Sequence, residues 1–147
     1  MSGPEATTLE LKLAHMSEML KWLEQTLAEG LESYLRSPRT QHATERELQT
    51  LIEAATDINL HILTSSGHAP PQDYHQSFLA LARDTEAISV GLALKLAPSA
   101  GLRNRLVHEY GDVDSARVFD SIQDALSLYP QYITEIREYI AGHPSEG

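Results

Sequence analysis

The chain has 147 residues, which suits a single domain, and a compact domain of that length buries about 70% of the surface that its unfolded form exposes. With 41% hydrophobic residues, 22% charged residues and no cysteine, the composition is that of an ordinary globular protein and excludes disordered and fibrous classes, disulfides and thiolate catalysis. A formal net charge of −10 argues against a general nucleic-acid-binding surface, because phosphate contacts need clustered lysine and arginine.

The first half of the chain predicts two long helices. Apolar residues recur three and four positions apart over residues 9–34, which indicates one buried face of a long first helix. The proline within residues 37–40 is expected to break that helix. A second helix is predicted over about residues 43–64, with Asn59 in its buried stripe, and residues 65–71 form a loop rich in serine, glycine and proline.

A short third helix and an interrupted fourth helix follow. The third is expected to begin near residues 71–73 and carries Tyr74. The fourth is expected to begin near Glu86, and Pro98 and Gly101 predict a kink or break within it.

The last part of the chain predicts one long helix. Gly111 is suited to end the fourth helix, and Asp114 is suited to cap a fifth helix that begins at Ser115. The apolar stripe of the fifth helix continues through Pro130, which favours one kinked helix over two. Because no alternating strand pattern occurs, the fold class is predicted to be all-α, a bundle of about five helices.

The organisation predicted from these elements is simple. We expect one domain over residues 1–147 with frayed ends at about 1–6 and 143–147. The N-terminus lacks a basic region followed by an apolar one, and no run approaches the roughly 20 apolar residues of a membrane span. A soluble, cytoplasmic protein is the resulting expectation.

Residues 103–110 carry the side chains that metal-independent RNA cleavage requires. That reaction needs a base for the 2′-hydroxyl proton, a cation for the phosphoryl oxygens and an acid for the leaving 5′-oxygen. Arginine can hold phosphate oxygens and histidine can act as either base or acid, and Arg103 and His108 supply these residue types. Residues five apart on a regular helix are rotated by about 140° from one another. Either the helix is distorted near its end, or the site combines residues from two subunits.

The pattern Arg-Asn-x-x-x-His-x-Tyr over residues 103–110 resembles the HEPN superfamily, and more closely the HepT-type toxins of bacterial and archaeal toxin–antitoxin pairs. The likeness covers roughly positions 43–142 and includes residues 53–59 and 74–78. Pro98 and a longer N-terminal helix depart from the family pattern.

The resemblance implies a HEPN-type homodimer, the toxin of a type VII-like toxin–antitoxin pair, that acts as a metal-independent endoribonuclease without a cofactor. Arg103 and His108 of both subunits would face one cleft at the dimer interface. Asn104 would orient the pair, and Arg105 is a candidate RNA contact. A separate minimal nucleotidyltransferase antitoxin (MntA-like) would transfer AMP to Tyr110, and that bulky anionic group would block RNA.

Other interpretations of the same residues stand beside this one. Without the resemblance, Arg103 and His108 are most simply a surface arginine and a helix-terminal histidine, and Tyr110 a ring packed on the bundle. Asp57 lies in an apolar stripe and is expected to pair with the fourth helix rather than to catalyse. The alternative function is a non-catalytic HEPN module that recruits, or is modified by, a nucleotidyltransferase, which the net charge of −10 favours.

Overall fold

A computed structural model describes residues 3–108 and 113–143, and the regular structure in these ranges is entirely helical, as predicted. None of the helices described is both long and apolar enough to cross a membrane. In chain order the helices are α1 (Gly3–Glu29), α2 (Leu31–Leu35), α3 (Pro38–Ser65), α4 (Tyr74–Ala80), α5 (Val90–Leu96), α6 (Ser99–His108) and α7 (Ser115–Gly142). A π-helical turn, Leu81–Thr85, continues α4.

The first predicted helix is divided into two. Gly30 separates α1 from α2 with a φ of 91°, a conformation that glycine adopts without the steric cost that other residues incur. Tyr34 of α2 then packs against α7, with its ring centroid 5.3 Å from that of Phe119. The prediction of an uninterrupted helix over residues 9–34 is therefore wrong; beyond the break Tyr34 is buried as expected, whereas Leu31 is exposed.

The proline in residues 37–40 begins α3 rather than only ending the preceding helix. Pro38 occupies the first turn of α3, where an amide hydrogen would have no partner within the helix. The Ser37 side chain caps this end by accepting a hydrogen bond from the Thr40 amide. The helix therefore begins before the predicted start at Ala43, because serine and proline together form a start signal.

The third and fourth predicted helices are confirmed in part. Asp73 caps α4 and accepts a 2.7 Å hydrogen bond from the Gln76 amide, at the predicted start. Glu86 does not begin a helix: it adopts a left-handed conformation, and Ser89 caps α5 instead. The predicted break near Pro98 is confirmed, since α5 and α6 lie on either side of it.

The C-terminal helix is one continuous helix, as predicted. The Asp114 carboxylate accepts hydrogen bonds from the amides of Ala116 and Arg117, and α7 continues through Pro130 to Gly142. Gly111, the predicted stop of the preceding helix, lies outside the described residues.

Helix α3 is the centre of the bundle and contacts α1, α4, α6 and α7. Its predicted apolar stripe is buried, comprising Leu48, Leu51, Ile52, Ala55, Ile58 and Ile62.

A chain of buried hydrogen bonds crosses this core. The Tyr132 hydroxyl on α7 donates to the Asn59 carbonyl oxygen (Oδ1) on α3 at 2.6 Å, and the Asn59 amide donates to the Ser77 hydroxyl on α4 at 3.0 Å. The Ser77 hydroxyl in turn donates to the Tyr74 backbone carbonyl at 2.7 Å. These hydrogen bonds tie three helices together at fixed points, and the last of the bonds is accepted by Tyr74.

Candidate active site

Arg103 of α6 is held against α3 by an ion pair. Its Nη2 atom lies 2.7 Å and its Nε atom 3.2 Å from the same carboxylate oxygen (Oε2) of Glu53. The two side chains are only 18% and 28% exposed, so water screens the pair less than it screens a surface pair. Both donors bind one oxygen, which fixes the direction of the guanidinium plane.

Tyr74 holds the other side of the same guanidinium. The Arg103 Cζ atom lies 4.9 Å from the centroid of the Tyr74 ring, within the range of a cation–π contact. Tyr74 is the first residue of α4, and its backbone carbonyl accepts the last bond of the buried hydrogen-bond chain. Packing in the core therefore determines where the ring meets Arg103.

A cavity of about 440 Å³ opens beside this arginine. Its lining includes Arg103, Tyr74 and Asn104, together with Asp73 and His75 at the start of α4. The His75 ring nitrogen (Nδ1) lies 3.3 Å from the Ala97 carbonyl oxygen. The cavity therefore presents a fixed cation, an aromatic face and an amide side by side.

His108 is the last residue of α6 and is exposed. Helix α6 remains α-helical from Ser99 to His108, so its described part lacks the distortion that would turn His108 towards Arg103. No hydrogen bond joins the two side chains in the described structure. Within one chain the two candidate catalytic residues therefore stay on different faces of α6.

The remaining predicted site residues are dispersed. Asn104 lines the same cavity as Arg103, whereas Arg105 lines a different cavity together with Lys95. Two residues correspond to a rotation of about 200° on a helix, which accounts for the separation of Arg103 and Arg105. Tyr110 lies in residues 109–112, outside the described residues.

Sequence reasoning expected Asp57 to pair with the fourth helix and overlooked Glu53. Asp57 is exposed, and its carboxylate lies 3.4 Å from the Lys12 ammonium on α1. Glu53, one helical turn earlier on α3, pairs instead with Arg103 of α6, which belongs to the fourth helix predicted from the sequence. The only feature of the sequence that could have indicated Glu53 was its position as a charged residue at the edge of an apolar stripe.

Within residues 3–108 and 113–143, no three histidine, aspartate or glutamate side chains converge as a metal site would require.

Comparison with known proteins gives one family. The model of the family described as Ribonuclease HepT-like matches residues 16–139. A protein named tRNA nuclease HepT, from Aphanizomenon flos-aquae, is 38% identical over 140 residues, which is 95% of each chain. A protein named mRNA nuclease HepT, from Shewanella oneidensis, is 29% identical over 126 residues, 86% of this chain and 93% of that one.

The fold is also that of a solved structure. A tri-AMPylated HEPN toxin from Shewanella oneidensis, solved in complex with an MNT antitoxin, superimposes with a TM-score of 0.78 and 27% sequence identity. The match covers 88% of this chain and 96% of that chain. The all-α, HEPN-type fold predicted from the sequence is confirmed.

The Arg103–Glu53 pair yields a prediction about stability. A double-mutant cycle with Arg103→Met and Glu53→Gln, followed by urea unfolding, should give a coupling free energy of about 1–2 kcal/mol, because the pair is mostly shielded from water. The matched control is Arg36 with Glu32, which are 73% and 85% exposed and should couple by about 0.5 kcal/mol or less. Equal coupling in the two cycles would show that Glu53 does not hold Arg103.

Proposed function

The chain belongs to the HepT-like ribonuclease family, and from that membership we propose that it is the ribonuclease toxin of a cytoplasmic toxin–antitoxin pair and cleaves RNA without a metal ion. The observation that carries the proposal is the arginine held between Glu53 and Tyr74 at the edge of a cavity. In this arrangement the charge of Arg103 has a fixed position beside the cavity, where a phosphate can approach it.

Arg103 is suited to stabilise the phosphoryl group during cleavage. Two of its five N–H donors point to Glu53, which leaves three for phosphate oxygens. Because Glu53 and Tyr74 already fix the guanidinium, little reorganisation is needed as negative charge develops on the phosphate. Asn104, on the wall of the same cavity, would orient the RNA or the arginine.

His108 would supply the proton transfers. Histidine can accept the 2′-hydroxyl proton in its neutral form and protonate the leaving 5′-oxygen in its charged form. Since His108 and Arg103 lie on different faces of α6, we propose that the working cleft forms between two copies of the chain. There the Arg103 of one copy would face the His108 of the other.

Tyr110 is the proposed point of control. It lies two residues after His108 in the sequence, and one relative was solved as a tri-AMPylated toxin with its MNT antitoxin. We propose that an MntA-like nucleotidyltransferase joins the α-phosphate of ATP to the Tyr110 hydroxyl oxygen and releases pyrophosphate. The added phosphate would repel RNA next to the cleft, and the added nucleoside would obstruct it.

A second candidate function is a non-catalytic module that retains the motif as a target for modification. The net charge of −10 favours it, since RNA binding is easier on a basic surface. The two functions differ in one observable: the unmodified protein, free of any antitoxin, cleaves RNA only under the first.

The catalytic assignment predicts that Arg103→Ala and His108→Ala each lower the rate of RNA cleavage by at least about 100-fold, since each removes a group that acts in the transition state. Cleavage of a labelled RNA by the wild-type protein should persist in EDTA. Arg36→Ala and His42→Ala, which replace surface residues away from the site, are the controls and should cleave at the wild-type rate. Wild-type cleavage by either site variant would refute the assignment, and a loss of cleavage supports it when circular dichroism shows that the variant is folded.

If Tyr110 is the residue through which the nuclease is regulated, coexpression with the nucleotidyltransferase should add AMP to the wild-type chain and silence its nuclease. Tyr110→Phe should remain unmodified and active, because it lacks the acceptor oxygen. Tyr139→Phe, which removes a tyrosine hydroxyl on α7, is the control and should be modified as the wild type is. Intact-protein mass spectrometry measures the addition, and AMP on the Tyr110→Phe chain would place the modification elsewhere.

A further inference from the structure

A second cavity, of about 520 Å³, lies among α3, α5, α6 and α7 and has no part in the proposed chemistry. Part of its wall is apolar, formed by Leu48, Leu51 and Leu102. Another part carries hydroxyl groups, those of Ser99, Ser121 and Ser127. Its volume falls within the range of about 300–1,000 Å³ that small-molecule sites occupy.

Two cations line this cavity in a chain with an excess of acids. Lys95 and Arg105 are both exposed, and neither has an ion-pair partner within the described part of the chain. Asp124 is the only acidic residue on the cavity wall described here, so the local charge is +1 against −10 for the whole chain. The cavity therefore favours an anionic ligand of moderate size.

Tyr129 on the cavity wall carries a buried hydroxyl without a hydrogen bond of good geometry to the described residues. The residue is 2% exposed and lines the cavity, and burial raises the pKa of its hydroxyl, which therefore stays protonated. The hydroxyl makes no hydrogen bond of good geometry within the described structure, although the Ser99 side chain is close. A buried hydroxyl without a partner costs about 1–3 kcal/mol, which a bound ligand could offset.

We propose that this cavity binds one nucleotide unit of the RNA substrate. Its phosphate would lie between Lys95 and Arg105, and its base would pack on Leu102 and Leu128, which are partly exposed. A small shift of the wall would bring the buried Tyr129 hydroxyl within hydrogen-bond distance of the base. Arg105 is two residues from Arg103 but lies on the opposite side of α6, so the two cavities would hold different segments of a bound RNA. The proposal rests on the ribonuclease function for the identity of the ligand, but its chemistry is that of any nucleoside phosphate.

Binding is the first test, because it does not depend on cleavage. Isothermal titration calorimetry of the full-length protein would use AMP, CMP, GMP and UMP, inorganic phosphate, and a fully 2′-O-methylated RNA octamer, which lacks the nucleophilic hydroxyl. Lys95→Ala, Arg105→Ala and Tyr129→Phe should each weaken binding by about tenfold, the effect of losing one hydrogen bond to a charged group or leaving one polar group unpaired. Lys21→Ala, Arg36→Ala and Tyr139→Phe are the matched controls.

The Tyr129→Phe variant also separates binding from folding. Because its hydroxyl makes no hydrogen bond of good geometry to the described residues, the variant should melt at the wild-type temperature or higher while it binds more weakly. Mononucleotide binding that depends on the three residues would show that one unit suffices, and binding of the octamer alone would show that the unit must be part of RNA. If none of the three cavity variants changes the affinity for any probe, the proposal is wrong.

Cleavage kinetics are the second test. Arg105→Ala should raise KM for RNA about tenfold with a smaller effect on kcat, whereas Arg103→Ala should act mainly on kcat. If the wild-type protein binds nucleotides through Arg105 but cleaves no RNA, the ribonuclease proposal fails and the nucleotide site stands. If it cleaves RNA and Arg105→Ala leaves both KM and the octamer affinity unchanged, the nucleotide site fails and the ribonuclease stands.

Discussion

The candidate site depends on the buried hydrogen-bond chain that runs from Tyr132 through Asn59 and Ser77 to the Tyr74 carbonyl. Apolar packing alone allows helices to slide and rotate by small amounts, but each bond in this chain has to be made between particular atoms. Breaking one of them in the core would leave a polar group unpaired, at a cost of about 1–3 kcal/mol. These hydrogen bonds therefore fix the position of α4 against α3 and α7, and with it the position of the Tyr74 ring that contacts Arg103.

Arg103 shows how an acidic protein can present positive charge to a phosphate. Glu53 and Tyr74 restrain the guanidinium from two sides, so the position of its remaining donors is set before any ligand arrives. Glu53 also offsets part of the positive charge, so the electrostatic field of Arg103 extends over only a short distance. Such a site suits recognition at short distance more than the capture of nucleic acid from afar.

Much of the fold could be predicted from the sequence, since helix faces and caps are local patterns. The apolar stripe of α3, the start of α4 near Asp73, the Asp114 cap and the break at Pro98 follow from spacing and residue type. The misplaced boundaries have local causes too: Gly30 divides a stripe whose periodicity continues across it, and Pro38 begins a helix because Ser37 caps it.

The site could be predicted only in part. The motif identified Arg103 and His108 as candidates, and their spacing indicated that they would not meet on one face. Glu53 was missed because its partner lies 50 residues away along the chain. The cavity around Lys95 and Tyr129 was missed for the same reason, since it forms only when four helices pack together.

The central claim is that Arg103 of one subunit works with His108 of another. Its most direct test is the RNA cleavage rate of a purified mixed dimer, in which one differently tagged copy carries Arg103→Ala and the other His108→Ala. The composite cleft predicts a rate far above that of either variant alone, because one intact arginine and one intact histidine face each other across the interface. A mixed dimer as inactive as its two parents would contradict the account.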